Sequence, residues 1–148
     1  MFTRRTFLAS AALLPMAGMA RAKAPVVCAQ HGAAISGYDP VAYFTEGAAR
    51  RGLSDHRVMW RGAVWFFTSE ANREAFERTP RAYAPRYGGY CAYAMSNGFT
   101  ATGDPEVWRI HDNRLYLVHN AQVLTKWLAD IPGHVEKADA NWPSILGK

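Results

Sequence analysis

Pro85-Arg86-Tyr87-Gly88-Gly89-Tyr90-Cys91-Ala92-Tyr93-Ala94-Met95-Ser96-Asn97-Gly98 decides how this chain is read. It holds one of only two cysteines, Cys91, two residues after a Gly-Gly pair able to take backbone angles that other residues resist. From Tyr90 to Asn97 the helix formers Ala92, Ala94 and Met95 predict a short helix, with Gly98 where a C-cap belongs. Cys91 then falls in the first turn, where unpaired N–H groups and the positive end of the dipole favour a thiolate, both nucleophile and metal ligand. Free cysteine is also at home as a small buried hydrophobe, and the residues leave both readings open.

Residues 1–22 read as a targeting segment. Paired Arg4-Arg5 precede a modest apolar run from Leu8 to Ala20, and Ala20-Arg21-Ala22 ends it with small residues where a signal peptidase reads. The pattern is that of a twin-arginine leader, which predicts export to the periplasm through the twin-arginine machinery and no stable membrane anchor once the leader is removed. The run is too short for a spanning helix, which needs about 20 apolar residues. The whole chain has 17 Lys+Arg against 12 Asp+Glu; without Arg4, Arg5 and Arg21 the remainder has 14 against 12, a charge of +2. The basic footprint of a nucleic-acid binder thereby disappears, and no arginine cluster stands out along the sequence.

Residues 23–148 are one domain's worth of chain, with no internal repeat, low-complexity linker or second long apolar run. Val26 to Ile35 predicts an edge strand. Asp39 reads as an N-cap with Pro40 at the first helical position, and Gly47 ends that turn. Two Val/Trp/Phe-rich runs between Arg57 and Thr68 flank Arg61-Gly62 and predict a β-hairpin. Ser69 caps a helix from Glu70 to Arg78 that Pro80 stops, followed by a short turn with Tyr83 and Tyr87 turned toward that hairpin. Asp104-Pro105 reads as a turn, and Val107 to Ile110 with Leu115 to Val118 as a second hairpin. Asn120 caps a helix from Ala121 to Asp130, and Pro132 begins a last helix ending near Trp142-Pro143. The many aromatics read as core packing. The class is α+β: a small single domain of two β-hairpins with short helices packed against them.

Tyr38-Asp39-Pro40-Val41, the Trp65-Phe66-Phe67-Thr68-Ser69 hairpin end, Phe76 with Pro80 and Tyr83, and the motif residues Tyr87-Gly88-Gly89-Tyr90-Cys91-Ala92 together resemble the YHS domain family. The second hairpin, Trp127, Asp130 and Asn141-Trp142-Pro143 make the chain more similar to its exported bacterial branch, which implies a YHS/TRASH-like core with a C-terminal helical extension. In that branch some members carry selenocysteine at the position of Cys91, which implies redox or soft-metal chemistry there. The wider family is associated with heavy-metal handling, including modules attached to copper-transporting ATPases. The cysteines that serve it there are replaced here by Ala42, Thr68 and Asn72.

A metal site would then use Cys91 and Met95, four residues apart on one helix face, to offer two soft sulfurs to copper(I), with a histidine from elsewhere: His56, which the family's title histidine suggests, or His111 or His119. Three functions follow: an exported domain binding or handling a soft transition metal, copper foremost, through Cys91; a thiol-redox protein cycling Cys91, with Cys28 as resolving thiol; or a non-catalytic interaction domain. A Cys28–Cys91 disulfide is the alternative to free thiols and would add about 4 kcal/mol in the chain-entropy model. No Cys-x-x-Cys, zinc-helix histidine pair, Gly-x-Ser-x-Gly elbow, phosphate loop or dinucleotide motif is present.

Overall fold

Ala63, Trp65 and Phe67 are buried along β4 (Ala63–Phe67) while Val64 and Phe66 are half-buried, the period-two pattern of a strand with one face on a core. β4 pairs antiparallel with β3 (Leu53–Trp60) across Arg61-Gly62, whose two positive φ angles suit the twist of a hairpin. The structure, a computed structural model, describes residues 23–146. Two short strands, β1 (Ala29–Gln30) and β2 (Ala33–Ala34), join this sheet in the order β1-β2-β4-β3, with β2 parallel to β4. A second sheet pairs β5 (Asp104–His111) with β6 (Arg114–Val118). Six helices complete the α+β domain: α1 (Ala42–Thr45), α2 (Glu70–Arg78), α3 (Pro80–Tyr83), α4 (Ala92–Ser96), α5 (Ala121–Leu128) and α6 (Ile131–Leu146).

Several local expectations change. Val26 to Ile35 is two bridging pieces, and β2 lies inside the sheet beside β4. Asp104-Pro105 opens β5 because Asp104 pairs with Val118 before a bulge resets the register at Trp108. α6 runs on through Pro143, since Trp142 and Ile145 on either side of it pack on the core. Tyr83 does sit by the first half, edge-on to Phe44, whereas Tyr87 turns to Tyr116 and Trp142. The leader lies outside the described residues. Among those described, no helix is long and apolar enough to cross a membrane.

The fold contains a repeat that the sequence hides: 35–78 recurs as 87–128. Each copy opens on three consecutive positive-φ residues, Ile35-Ser36-Gly37 and Tyr87-Gly88-Gly89. A tyrosine then makes an isolated bridge, Tyr38 to Arg51 and Tyr90 to Thr102. A short helix, a hairpin, a capping residue and a longer helix follow, Ser69 accepting from the Asn72 N–H and Asn120 from the Val123 N–H. The offset is 52 residues up to the bridging tyrosine (35 to 87, 38 to 90) and 51 in the hairpin and second helix (53 to 104, 69 to 120). Even the bulge recurs, between Leu53 and Arg57 and between Asp104 and Trp108. The second copy lacks the strand that β2 supplies, because the position matching Ala33 is Pro85, which has no N–H to give a ladder.

The copies share one wall. Leu115 and Leu117 of β6 belong to the first core with Trp65, Phe67 and Phe76, while Tyr116 and Val118 belong to the second with Met95, Trp127 and Ala138 of α6. Close approach at the wall needs glycine at Gly103, where a Cβ would fall 2.7 Å from the Leu117 Cβ and onto the Gly89 carbonyl. Gly103 has no positive φ, so its need is purely steric. Gly103→Ala should therefore lower stability by about 1–3 kcal/mol, the cost of overpacking, read as a lower urea midpoint at unchanged slope.

Candidate functional site

Cys91 is the N-cap residue that precedes α4 and does not lie in its first turn, because the left-handed turn before it holds the chain extended at Tyr90. Its N–H donates to the Ala101 carbonyl at 2.8 Å and its Sγ accepts the His119 N–H at 3.3 Å. The side chain is 1% exposed, packed among Tyr87, Tyr90, Met95, Tyr116 and Trp127.

The matching residue of the first copy is Asp39, whose N–H donates to the Arg50 carbonyl at 2.8 Å. Asp39 is fully buried, and it is not the N-cap expected of it: Val41 holds that position before α1, two residues further on. Oδ1 accepts the Val41 N–H at 2.8 Å, while Oδ2 accepts the Thr68 N–H at 2.8 Å, the Thr68 hydroxyl at 2.9 Å and the Asn72 side-chain amide at 2.7 Å. Thr68 and Asn72, two of the positions where the family resemblance implies cysteine ligands, are thus spent on a carboxylate. His119 stands where the first copy has Thr68. In both copies a residue between the bridging tyrosine and a short helix accepts the N–H of the residue after the hairpin.

The other residues singled out from sequence are distributed as follows. Met95 is buried in the cluster that holds Cys91. His56 on β3 is elsewhere, its Nδ1 3.2 Å from Glu70 on α2. His111 pairs with Asp112 at 3.4 Å. Of the three histidines only His119 reaches Cys91, through its backbone; its Nδ1 lies 2.8 Å from the Thr102 carbonyl, which can only accept, so Nδ1 carries the proton. Ser69 caps α2, whereas Pro40 lies in the turn before Val41, ahead of α1 and not at its first position; Tyr87 donates to Asp139 at 2.9 Å while Tyr90 donates to the Pro25 carbonyl at 3.0 Å. Gly88 is needed where it stands, since a Cβ there would strike the Val26 carbonyl.

The donor set does not fit a three-ligand copper site of Cys91, Met95 and His56, because the histidine belongs to the other sheet. Among the described residues no group of three or more His, Cys, Asp or Glu side chains is gathered to hold a metal ion. Both cysteines are free thiols and buried. Burial raises the Cys28 pKa, against a hydrogen bond with the Gly103 backbone that lowers it. Sequence reasoning missed Thr68 and Asn72 as partners of Asp39; laying Val118-His119-Asn120 on Phe67-Thr68-Ser69 is the signal that finds the pairing.

Asp39→Ala should cost about 3 kcal/mol or more, because four donors lose a buried acceptor, measured by denaturant unfolding. Alkali should also destabilise the fold. Burial holds Tyr43 and Tyr87 well above the ordinary tyrosine range, with the Asp139 hydrogen bond adding to Tyr87, and holds Cys28 above the ordinary thiol value. As pH rises past the unfolded values of about 8.5 for cysteine and about 10 for tyrosine, the unfolded chain gives up protons that the fold keeps. Stability is then complete below about pH 8 and falls above it by up to about 1.4 kcal/mol per unit per group, so a urea midpoint unchanged at about pH 11 would contradict the buried phenols. No protein-family model, curated protein or solved structure matches this chain.

Proposed function

We propose that the chain is an exported binding domain of the YHS group in which Cys91 is a structural acceptor and not a reagent. One observation carries this reading: Cys91 occupies in the second copy the place that Asp39 occupies in the first, with the same backbone bond to residue 50 or 101 and the same acceptance of an N–H after the hairpin. A thiol at 1% exposure that already accepts an N–H is held as a packing and hydrogen-bonding group. The family assignment rests on the residues from Tyr38 to Pro143 quoted above, and periplasmic export on Arg4-Arg5 and the apolar run behind them.

A second reading, copper(I) handling, is favoured by the two sulfurs of Cys91 and Met95 in one cluster and by His119 following β6 against Cys91, its Nε2 without a hydrogen bond among the described residues. Cys91 and His119 would then be the ligands, and a thiolate would select the monovalent ion.

In a Cys28→Ser background, iodoacetamide should label native Cys91 about a hundredfold or more slower than in urea, since reaction waits on local opening. Comparable rates in the native and unfolded protein would overturn the structural reading. Copper(I) titration separates the two proposals: binding unaffected by Cys91→Ser supports the first, and tight binding abolished by that substitution replaces it with the second.

A further inference from the structure

A cleft of about 460 Å³ opens beside the Arg61-Gly62 turn, between Arg81-to-Gly88 and the end of α6. Trp60 and Trp142 line it with half-buried rings, with Trp65 buried behind Trp60; Arg61, Arg81 and Arg86 line it with guanidinium groups, and no carboxylate is among the lining residues. The three arginines are too far apart in sequence to read as a cluster; the fold assembles them.

Arg61 stacks on the Trp60 ring at 4.6 Å. Neither it nor Arg81 has an ion pair among the described residues. Burial, then the neighbouring Arg81 charge, lower the Arg61 pKa, so two uncompensated cations share one wall. Arg86 uses Nη2 on Asp139 at 3.1 Å and keeps a buried Nε with no hydrogen-bond partner. The repeat sharpens the contrast. The second copy builds its hairpin turn from Asp112-Asn113, residue types that tolerate positive φ, whereas the first holds a bulky arginine there at φ 51°.

We propose that this cleft binds a small organic anion whose carboxylate, sulfonate or phosphate head pairs with Arg61 and Arg81 and whose flat apolar body lies against Trp60 and Trp142. The guanidinium fork matches an oxyanion with two parallel hydrogen bonds, indole faces suit a flat body, and the volume falls in the range of small-molecule sites. An anion also relieves the repulsion between the two free arginines. The proposal rests on the reading of the chain as a binding domain, but neither Arg61 nor Arg81, on which its test turns, belongs to the cluster around Cys91.

The fluorescent anion anilinonaphthalene sulfonate and its uncharged relative phenylnaphthylamine test it directly, titrated into the purified protein with tryptophan emission as a second readout. The expected result is saturable binding of the sulfonate, weakened by salt, and a loss of about tenfold or more in the Arg61→Gln/Arg81→Gln double variant. Phenylnaphthylamine should bind more weakly than the sulfonate and be unaffected by the pair of substitutions, and Arg109→Gln, outside the cleft, should change neither probe. Wild-type affinity for the sulfonate in a double variant with native circular dichroism and unchanged Tm would overturn the proposal, as would equal affinity for the two probes. Either failure leaves the iodoacetamide result, and with it the reading of Cys91, untouched.

Discussion

Leu115-Tyr116-Leu117-Val118 is buried on both of its faces, and the rest of the structure is arranged to permit that. A strand in a two-stranded antiparallel sheet ordinarily keeps one face wet. Here the first copy's aromatics close over Leu115 and Leu117, while α4, α5 and α6 close over Tyr116 and Val118. Four such side chains taken from water contribute about 1.5–3 kcal/mol each when large. The first copy's core includes two leucines borrowed from β6, while the second copy uses the opposite face of that strand for its own core. Loss of β6 would therefore open both cores at once.

The copies keep a geometry while exchanging its chemistry. A carboxylate offers several lone pairs, so Asp39 ties together a helix start, the hairpin end and α2 by itself. A thiol accepts weakly and makes one such bond from Cys91. The second copy recovers order from α6, whose Asn141 donates to the Met95 carbonyl at 2.9 Å and the Ser96 carbonyl at 3.3 Å, satisfying carbonyls at the buried C-terminal end of α4. Arg86 and Tyr87 both reach Asp139 on the same helix. The C-terminal extension thus does for one copy what a single buried carboxylate does for the other.

What the residues reveal in advance is local. Ser69 and Asn120 are legible as caps, and Arg61-Gly62 as a turn, because each acts within three or four positions of itself. The repeat is hard to read because the large matching core positions hold different residues, Trp65 with Tyr116 and Tyr43 with Met95, as do Asp39 and Cys91, and the few identities, such as Tyr38 with Tyr90 and Ala42 with Ala94, are too scattered to stand out. Tyr87 escapes a local reading for another reason: its own φ of 58° and the two glycines after it turn the chain away from the first hairpin. His56 looks available to a sulfur site until the fold gives it Glu70 as a partner. Cys91 is identifiable as the singular residue of its motif, but its part as a backbone acceptor depends on His119, 28 positions later.

The twin bulges carry a consequence for how the molecule meets its neighbours. β3 and β5 each form one border of their sheets, and an outer strand presents bare N–H and C=O groups that another chain can zip onto. An irregularity after the first residue of each strand bends that border and sharpens its twist. Along these two borders neither sheet offers a straight seam for a foreign strand to extend, a safeguard built twice into one chain.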